Sequence, residues 1–308
     1  MTCILIDCDP GADDALAIMM ALNAPGIETL GLTTTGGNAR LSDTTRNALR
    51  ILETIDRTDS PVYKGASRPQ KGYFQYGYHI HGSTGIGVRL RSPITRAHNS
   101  SALEIISSAA MKNFGSLKIV ALGPLTNLAT SLIREPKLIG AIKEIIVMGG
   151  AVEVPGNVTS NAEFNIYNDP ISADITLNSG IPITLVGLDV TEQVSFKRNQ
   201  SPWAKGSSST AILARRIIDN WFLRHKNSDH FTLHDPLAVL AAIDPTLFSY
   251  KRGRIRVETE VPQYFGRTTA SYGPGPVQIA VGVDARLAIS KVTNLLQGSL
   301  DKNVDANL

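Results

Sequence analysis

The chain has 308 residues, 43% of them hydrophobic, and a formal net charge of +3. That length can bury a large core, as one big domain or two small ones. So small a charge, with no Lys/Arg run, argues against nucleic acid as the main partner, and no apolar run approaches the roughly 20 residues of a membrane helix. The two cysteines, Cys3 and Cys8, lie five residues apart on or near one strand. At about 3.3 Å per residue they are too far apart to pair, so a reduced, intracellular and cytoplasmic protein is expected. No signal-peptide pattern precedes the first strand.

In chain order, residues 3–6 form an apolar run of strand length that stops at Asp7-Cys8-Asp9-Pro10-Gly11-Ala12-Asp13-Asp14-Ala15. Leu16, Ile18, Met19 and Leu22 follow with the spacing of a helix face. The acids therefore sit where a strand turns at Pro10-Gly11 into a helix. Further strands are predicted over residues 29–33, 117–122, 144–147, 183–186, 254–258 and 277–281. Most are continuous apolar runs, as strands buried on both faces should be. Helices are predicted over residues 42–55, 101–114, 125–134, 170–179, 210–225 and 235–243, the second opening with a capping box, Ser101 and Glu104. The alternation implies an α/β fold, an open and mostly parallel sheet with helices on both faces, Rossmann-like in layout. No linker or repeat divides residues 1–297, which read as a single domain, and residues 298–308 read as a polar tail. Residues 71–91, rich in Gly, Tyr and His, and residues 193–209, polar with Trp203, are irregular. Such long loops serve as lids or binding loops, or are surface excursions.

The strand ends share a chemistry. After the acids come Thr33-Thr34-Thr35-Gly36-Gly37-Asn38, Gly123-Pro124-Leu125-Thr126-Asn127, Met148-Gly149-Gly150 and Gly187-Leu188-Asp189-Val190-Thr191. Glycine lets the backbone approach a ligand, and Asn, Asp and Thr supply oxygens and donors. In an open α/β sheet this edge is where ligands bind.

Concentrated carboxylates at such an edge are costly unless a cation neutralises them. Asp7 and Asp9 are two apart, hence on opposite faces of a regular strand, and the turn at Pro10 swings Asp9 over the crevice. Asp13 and Asp14 open a helix, where the macrodipole favours anions, and point about 100° apart, so they do different jobs. No Cys/His cluster accompanies them; an all-oxygen set suits Ca²⁺ or Mg²⁺ rather than zinc. An EF-hand is excluded, with Pro10 inside the loop and Ile18 where its bidentate Glu belongs. Two further clusters carry polar groups. Residues 157–165 hold Asn157, Asn161, Glu163 and Asn165, a donor and acceptor inventory suited to sugar hydroxyls or to turns of their own. His234-Asp235-Pro236 reads as a helix start capped by Asp235, whose second oxygen can still face a metal, with His234 able to carry a proton near neutral pH.

These motifs, from the acidic opening through Gly37-Asn38, the stretch ending at Asn127, Met148-Gly149-Gly150, Asn157 to Asn165 and His234-Asp235, resemble the calcium-dependent nucleoside hydrolases, the inosine–uridine-preferring family. The likeness runs from Met1 to about Ala285. It implies the nucleoside hydrolase fold, a nucleoside substrate, hydrolysis of the N-glycosidic bond with inversion, and a homodimer or homotetramer. By resemblance Asp9, Asp14, the carbonyl of Thr126 and Asp235 are Ca²⁺ ligands, and Asp9 is also the base for the attacking water. Asp13, Asn38, Asn157, Glu163 and Asn165 are ribose contacts, Met148 packs near the sugar, Asp7 stands behind the ligands, and His81 and His234 face the base. His234 is the candidate proton donor to the leaving base. The region around Trp221, Arg224 and His225 and the Tyr-rich loop depart from the family pattern. Trp221 and His225 share a helix face and either touch the base or pack in the core. Two other readings compete. An aspartyl-phosphate phosphatase using Mg²⁺ also opens on Asp-x-Asp, but calls for Thr or Val at Gly11 and no doubled Asp13-Asp14. A non-catalytic nucleoside- or sugar-binding module would not need Asp9, Asp14, Asp235 and His234 together.

Overall fold

The computed structural model describes residues 1–198 and 206–298. Trp203, and the predicted tail beyond Gly298, lie outside the described residues. The strands are β1 (Thr2–Cys8), β2 (Ile27–Thr34), β3 (Val62–Lys64), β4 (Lys118–Ala121), β5 (Glu144–Met148), β6 (Ile183–Val186), β7 (Ser195–Lys197), β8 (His230–Thr232), β9 (Phe248–Val257), β10 (Thr268–Tyr272) and β11 (Val277–Val283). The helices are α1 (Ala12–Asn23), α2 (Leu41–Thr54), α3 (Tyr78–His81), α4 (Ala102–Lys112), α5 (Thr126–Arg134), α6 (Leu138–Ala141), α7 (Phe164–Asn168), α8 (Pro170–Leu177), α9 (Leu188–Thr191), α10 (Ser209–Arg224), α11 (His234–Ile243) and α12 (Ala285–Gln297).

One 9-stranded sheet runs in the order β10-β9-β11-β6-β5-β4-β1-β2-β3, and β7 with β8 forms a separate ribbon. Neighbours from β11 to β3 are parallel, while β9 runs antiparallel to both β11 and β10. This is the expected mixed, mostly parallel sheet. From β1 the chain adds β2 and β3 on one side, then restarts at β4 on the other. The crevice above the C-terminal ends of β1 and β4 is therefore the topological switch point, the ligand position of open α/β sheets.

Two apolar cores cover the two faces. Ile4 and Ile6 of β1 join one and Leu5 the other, the alternation a strand requires. On the first face α1 carries no polar stripe along Ala15–Leu22, because α10, α11 and α12 pack around it. Burying this helix on several sides fixes its N-terminus, and with it Asp13 and Asp14. Ser101 and Glu104 form the expected capping box, with Ser101 N–H donating to Glu104 Oε2 at 2.6 Å. Strand β9 is longer than the predicted 254–258 because its burial alternates, leaving no continuous apolar run. Both cysteines are free. Among the described residues no helix is long and apolar enough to cross a membrane.

Candidate active site

Strand β1 delivers its acids to a buried floor. Asp7, Asp9 and Asp14 are fully buried. Asp14 closes the first turn of α1: Oδ1 accepts from Asp9 N–H at 3.1 Å, and Oδ2 from Gly11 N–H at 2.8 Å and Asn38 Nδ2 at 3.0 Å. Asp9 Oδ2 accepts from Asn38 N–H at 2.6 Å, whereas Asp9 Oδ1 is buried without a partner. The glycines of the strand ends now have a reason. A Cβ at Gly123 would stand 2.6 Å from Asp9 Oδ1, and one at Gly37 would strike the other oxygen of the same carboxylate. A Cβ at Gly11 would lie 2.7 Å from Asn38 Nδ2 and 2.8 Å from the His81 ring, so the Thr or Val of the phosphatase pattern does not fit. Asp7 stands behind this floor, accepting on Oδ1 from Thr33 Oγ1 at 2.6 Å and Asn127 Nδ2 at 2.7 Å.

Asp13, Asp14 and Asp235 bring carboxylate oxygens within 4.8 Å of one another. Burial, and then the neighbouring carboxylates, raise Asp9 and Asp235 well above the carboxylate range; the same causes push Asp13 up to about 7. Burial pushes Asp7 up to about 6, against its two hydrogen bonds. Asp235 shares a hydrogen bond with Asp14, which one of the two must donate as the acid. A floor of crowded acids, with Asp9 Oδ1 orphaned on it and Asp7 Oδ2 orphaned behind it, and with only oxygen donors, fits a hard divalent cation. The sequence reading of Asp235 as the helix cap is corrected: Leu233 holds that position, and Asp235, inside the first turn of α11, turns to the acids instead. Thr126 is also elsewhere. Its hydroxyl donates to Asp169 Oδ2 at 2.7 Å and it does not line the cavity, whereas Leu122, at the end of β4, does.

Above the floor lies a cavity of about 250 Å³. Of the expected residues, Asp13, Asn38, His81, Met148, Asn157, Glu163, Asn165, His234 and Asp235 line it. Glu163 caps α7, with Oε1 accepting from Asn165 N–H at 2.9 Å and Oε2 from Gly150 N–H at 3.0 Å and Ile166 N–H at 3.1 Å. Asn165 Nδ2 donates to the carbonyls of Leu122 at 2.7 Å and Met148 at 3.2 Å. Asn157 Oδ1 accepts from Phe164 N–H at 2.9 Å. These bonds tie the ends of β4 and β5 to α7, so the polar wall is held by backbone rather than by free rotamers.

The opposite wall comes from loop 71–91 and from α10, β8 and α11. His81 is buried; its Nδ1 accepts from Ala12 N–H at 3.1 Å. Burial and then the Arg224 guanidinium push it down to about 3, so the ring is neutral and its one proton sits on Nε2. Arg224 in turn donates to the carbonyl of Ile80. His234 Nδ1 lies 2.8 Å from Thr191 Oγ1, and burial lowers its pKa to about 4. Trp221, Phe231, Thr232 and Ile80 complete this wall, and Phe164, at the start of α7, lines the cavity from the other side. Residue spacing gave no signal for these apolar lining positions beyond Trp221. Trp221 stacks on His225 with centroids 3.7 Å apart and meets Phe231 edge-on at 5.1 Å. It thus packs against the core and lines the cavity at once; His225 does not line it.

The sequence model of the family described as "Inosine-uridine preferring nucleoside hydrolase" matches residues 4–289. "Uridine nucleosidase 1" of Arabidopsis thaliana is 39% identical over 263 residues, covering 83% of this chain and 78% of that protein. The solved structure titled "Plant nucleoside hydrolase - PpNRh1 enzyme" superposes with a TM-score of 0.92 at 32% identity, covering 97% of this chain and 99% of the other. "Purine-Preferring Ribonucleoside Hydrolase from Gardnerella vaginalis" gives 0.91 at 33% identity, with 96% and 98% covered. Nothing in these likenesses supports the phosphatase or the non-catalytic binding module. With an acidic floor fitted to a metal and a small polar cavity above it, the chain belongs to the inosine-uridine preferring nucleoside hydrolase family and is an enzyme that hydrolyses the N-glycosidic bond of ribonucleosides.

Proposed function

We propose that this enzyme is a Ca²⁺-dependent, inverting ribonucleoside hydrolase that accepts uridine, with residues 1–297 as one cytoplasmic catalytic domain assembling as a homodimer or homotetramer. The observation that carries the reading is the orphaned Asp9 Oδ1 beside the Asp13, Asp14 and Asp235 group, on the floor of a cavity walled by amides and histidines. Asp9, Asp14 and Asp235 would hold the cation, with the carbonyl of Leu122 at the β4 end in the place expected of Thr126. When bound, Ca²⁺ supplies positive charge that polarises a water and the ribose diol.

The chain's own residues do the rest. Asp9 Oδ1, with no other partner, accepts the water's proton as oxygen attacks the anomeric carbon. Attack from the floor, opposite the base, inverts that carbon. Asp13, Asn38, Asn157, Glu163 and Asn165 hold the sugar hydroxyls, and Met148 packs beside the ring. Asp13 and Glu163 place negative charge near the ring as it becomes oxocarbenium-like. On the base side, His81 offers Nε2–H as a fixed donor. Thr191 can donate its hydroxyl hydrogen to His234 Nδ1, which leaves the His234 proton on Nε2, facing the cavity. Because burial keeps that ring neutral, His234 acts as a fixed hydrogen-bond donor to the departing base as negative charge develops, and the base leaves as an anion that water protonates. Uridine is preferred here because the Arabidopsis relative is named for it, and both ring donors match the carbonyl acceptors of uracil.

A base-release panel with uridine, cytidine, inosine and adenosine tests this, with metal content measured before and after chelation. Uridine hydrolysis that disappears on chelation and returns with Ca²⁺ is expected. Full activity in verified metal-free protein would remove the metal role, and release from adenosine alone would remove the base assignment.

A further inference from the structure

We propose that a second site, a cationic groove beside the active-site loop, binds the phosphate chain of a polyphosphorylated small molecule. The groove has a volume of about 840 Å³, within the range of ligand sites, and lies between the start of α2, the end of β3 and loop 93–99. Arg40, Arg46, Lys64 and Arg96 line it, and no acid does. Arg46 is held by Asp43 at 2.7 Å. Among the described residues, Arg40, Lys64 and Arg96 have no ion-pair partner. Other unpaired surface cations, such as Arg252 and Arg254 on β9, do not share a groove of this kind with one another; the three here line a single hollow.

Three unpaired cations converging on one hollow repel each other, and a polyanion relieves that repulsion. The donors match phosphoryl oxygen. Two guanidinium forks can each bind two oxygens, and the ammonium adds a point charge. Ser42, Ser67, Tyr76 and Asn99 supply further hydrogen-bonding groups around them. Three free positive charges call for a ligand of about three or four negative charges, a triphosphate rather than a single phosphate. The groove is separate from the reaction cavity, with no lining residue in common. It adjoins the turn that carries His81 all the same, because the Tyr78 hydroxyl donates to Asp43 Oδ2 at 2.5 Å and accepts from Arg40 N–H at 3.1 Å.

Isothermal titration calorimetry of the metal-loaded enzyme tests the site, with inorganic tripolyphosphate and UTP as probes and free divalent cation held constant by a buffer. Both probes are expected to bind the wild type, with affinity falling as salt is raised. UTP tighter than tripolyphosphate identifies a nucleotide; equal affinities identify the phosphate chain alone. The triple variant Arg40→Ser/Lys64→Ser/Arg96→Ser should bind at least about 100-fold more weakly while keeping its thermal midpoint, since all three side chains are exposed. A control, Arg252→Ser/Arg254→Ser/Arg256→Ser, removes three exposed charges from β9 and should bind as the wild type does. No binding to the wild type at millimolar probe, undiminished binding to the first variant, or an equal loss in the control would each overturn the proposal.

Discussion

The acidic floor makes a prediction about stability that needs no substrate. Remove the cation, and the folded state must hold protons on carboxylates that the unfolded chain would ionise. Asp7 titrates near pH 6 and Asp13 near pH 7 in the fold, against an ordinary value of 3.8. A raised folded pKa contributes stability that is full below the unfolded value and lost as pH climbs through the folded one. The metal-free enzyme should therefore lose stability between about pH 4 and pH 7.5. At 1.36 kcal/mol per pH unit, Asp7 alone accounts for about 3 kcal/mol. Asp13 is half-buried and tied to its neighbours, so about half its nominal value, some 2 kcal/mol, is a fair allowance. Unfolding entropy for a chain of this length is about 0.6 kcal/mol per degree, so the loss is about 8 °C in thermal midpoint. Calorimetric melts of chelated and Ca²⁺-saturated protein across that range give the test. The difference between the two midpoints should widen with pH, because the cation favours the ionised floor, and Asp7→Asn should narrow it. A constant difference across the range would refute the account of the floor.

Asp9→Asn should slow uridine and a nitrophenyl riboside alike, since both need the activated water. His234→Ala, by removing a fixed donor to the departing base, should cost about 10²–10³-fold on uridine and little on the nitrophenyl leaving group, as kcat/KM for each pair will show. Proton NMR of the first turnovers should show α-ribose from a β-nucleoside; β-ribose first would demand a covalent intermediate. Gly123→Ala should cost about 1–3 kcal/mol and most of the activity, because its Cβ would lie 2.6 Å from Asp9 Oδ1; unchanged kcat and midpoint would show that the floor yields freely.

What the sequence revealed and what it hid divide along a physical line. Side-chain type and spacing were legible. The doubled Asp13-Asp14, Asn157, Glu163, Asn165 and the glycines at the strand ends gather at one edge because strand–helix alternation puts those ends there, whereas Asn161 turns away to donate to the carbonyl of Gln263. The apolar lining was hidden: Ile80, Phe164 and Phe231 reach the cavity from three short elements, α3, α7 and β8, and an apolar residue in so short a segment carries no periodicity to mark its direction. Protonation was hidden too. His234 reads as a group able to carry a proton near neutral pH, but burial lowers it to about 4, and burial with Arg224, far away in sequence, makes His81 a fixed neutral donor as well. Thr126 shows the boundary most clearly. A carbonyl ligand depends on which way the backbone turns, and every residue has a carbonyl. The motif Gly123-Pro124-Leu125-Thr126-Asn127 announces a tight turn at a strand end without saying which oxygen faces the crevice. In the fold, Thr126 has already entered α5 and spends its hydroxyl on Asp169, while Leu122, still at the end of β4, borders the cavity. Leu122 has no polar side chain to betray it, so only the course of the backbone could place its oxygen.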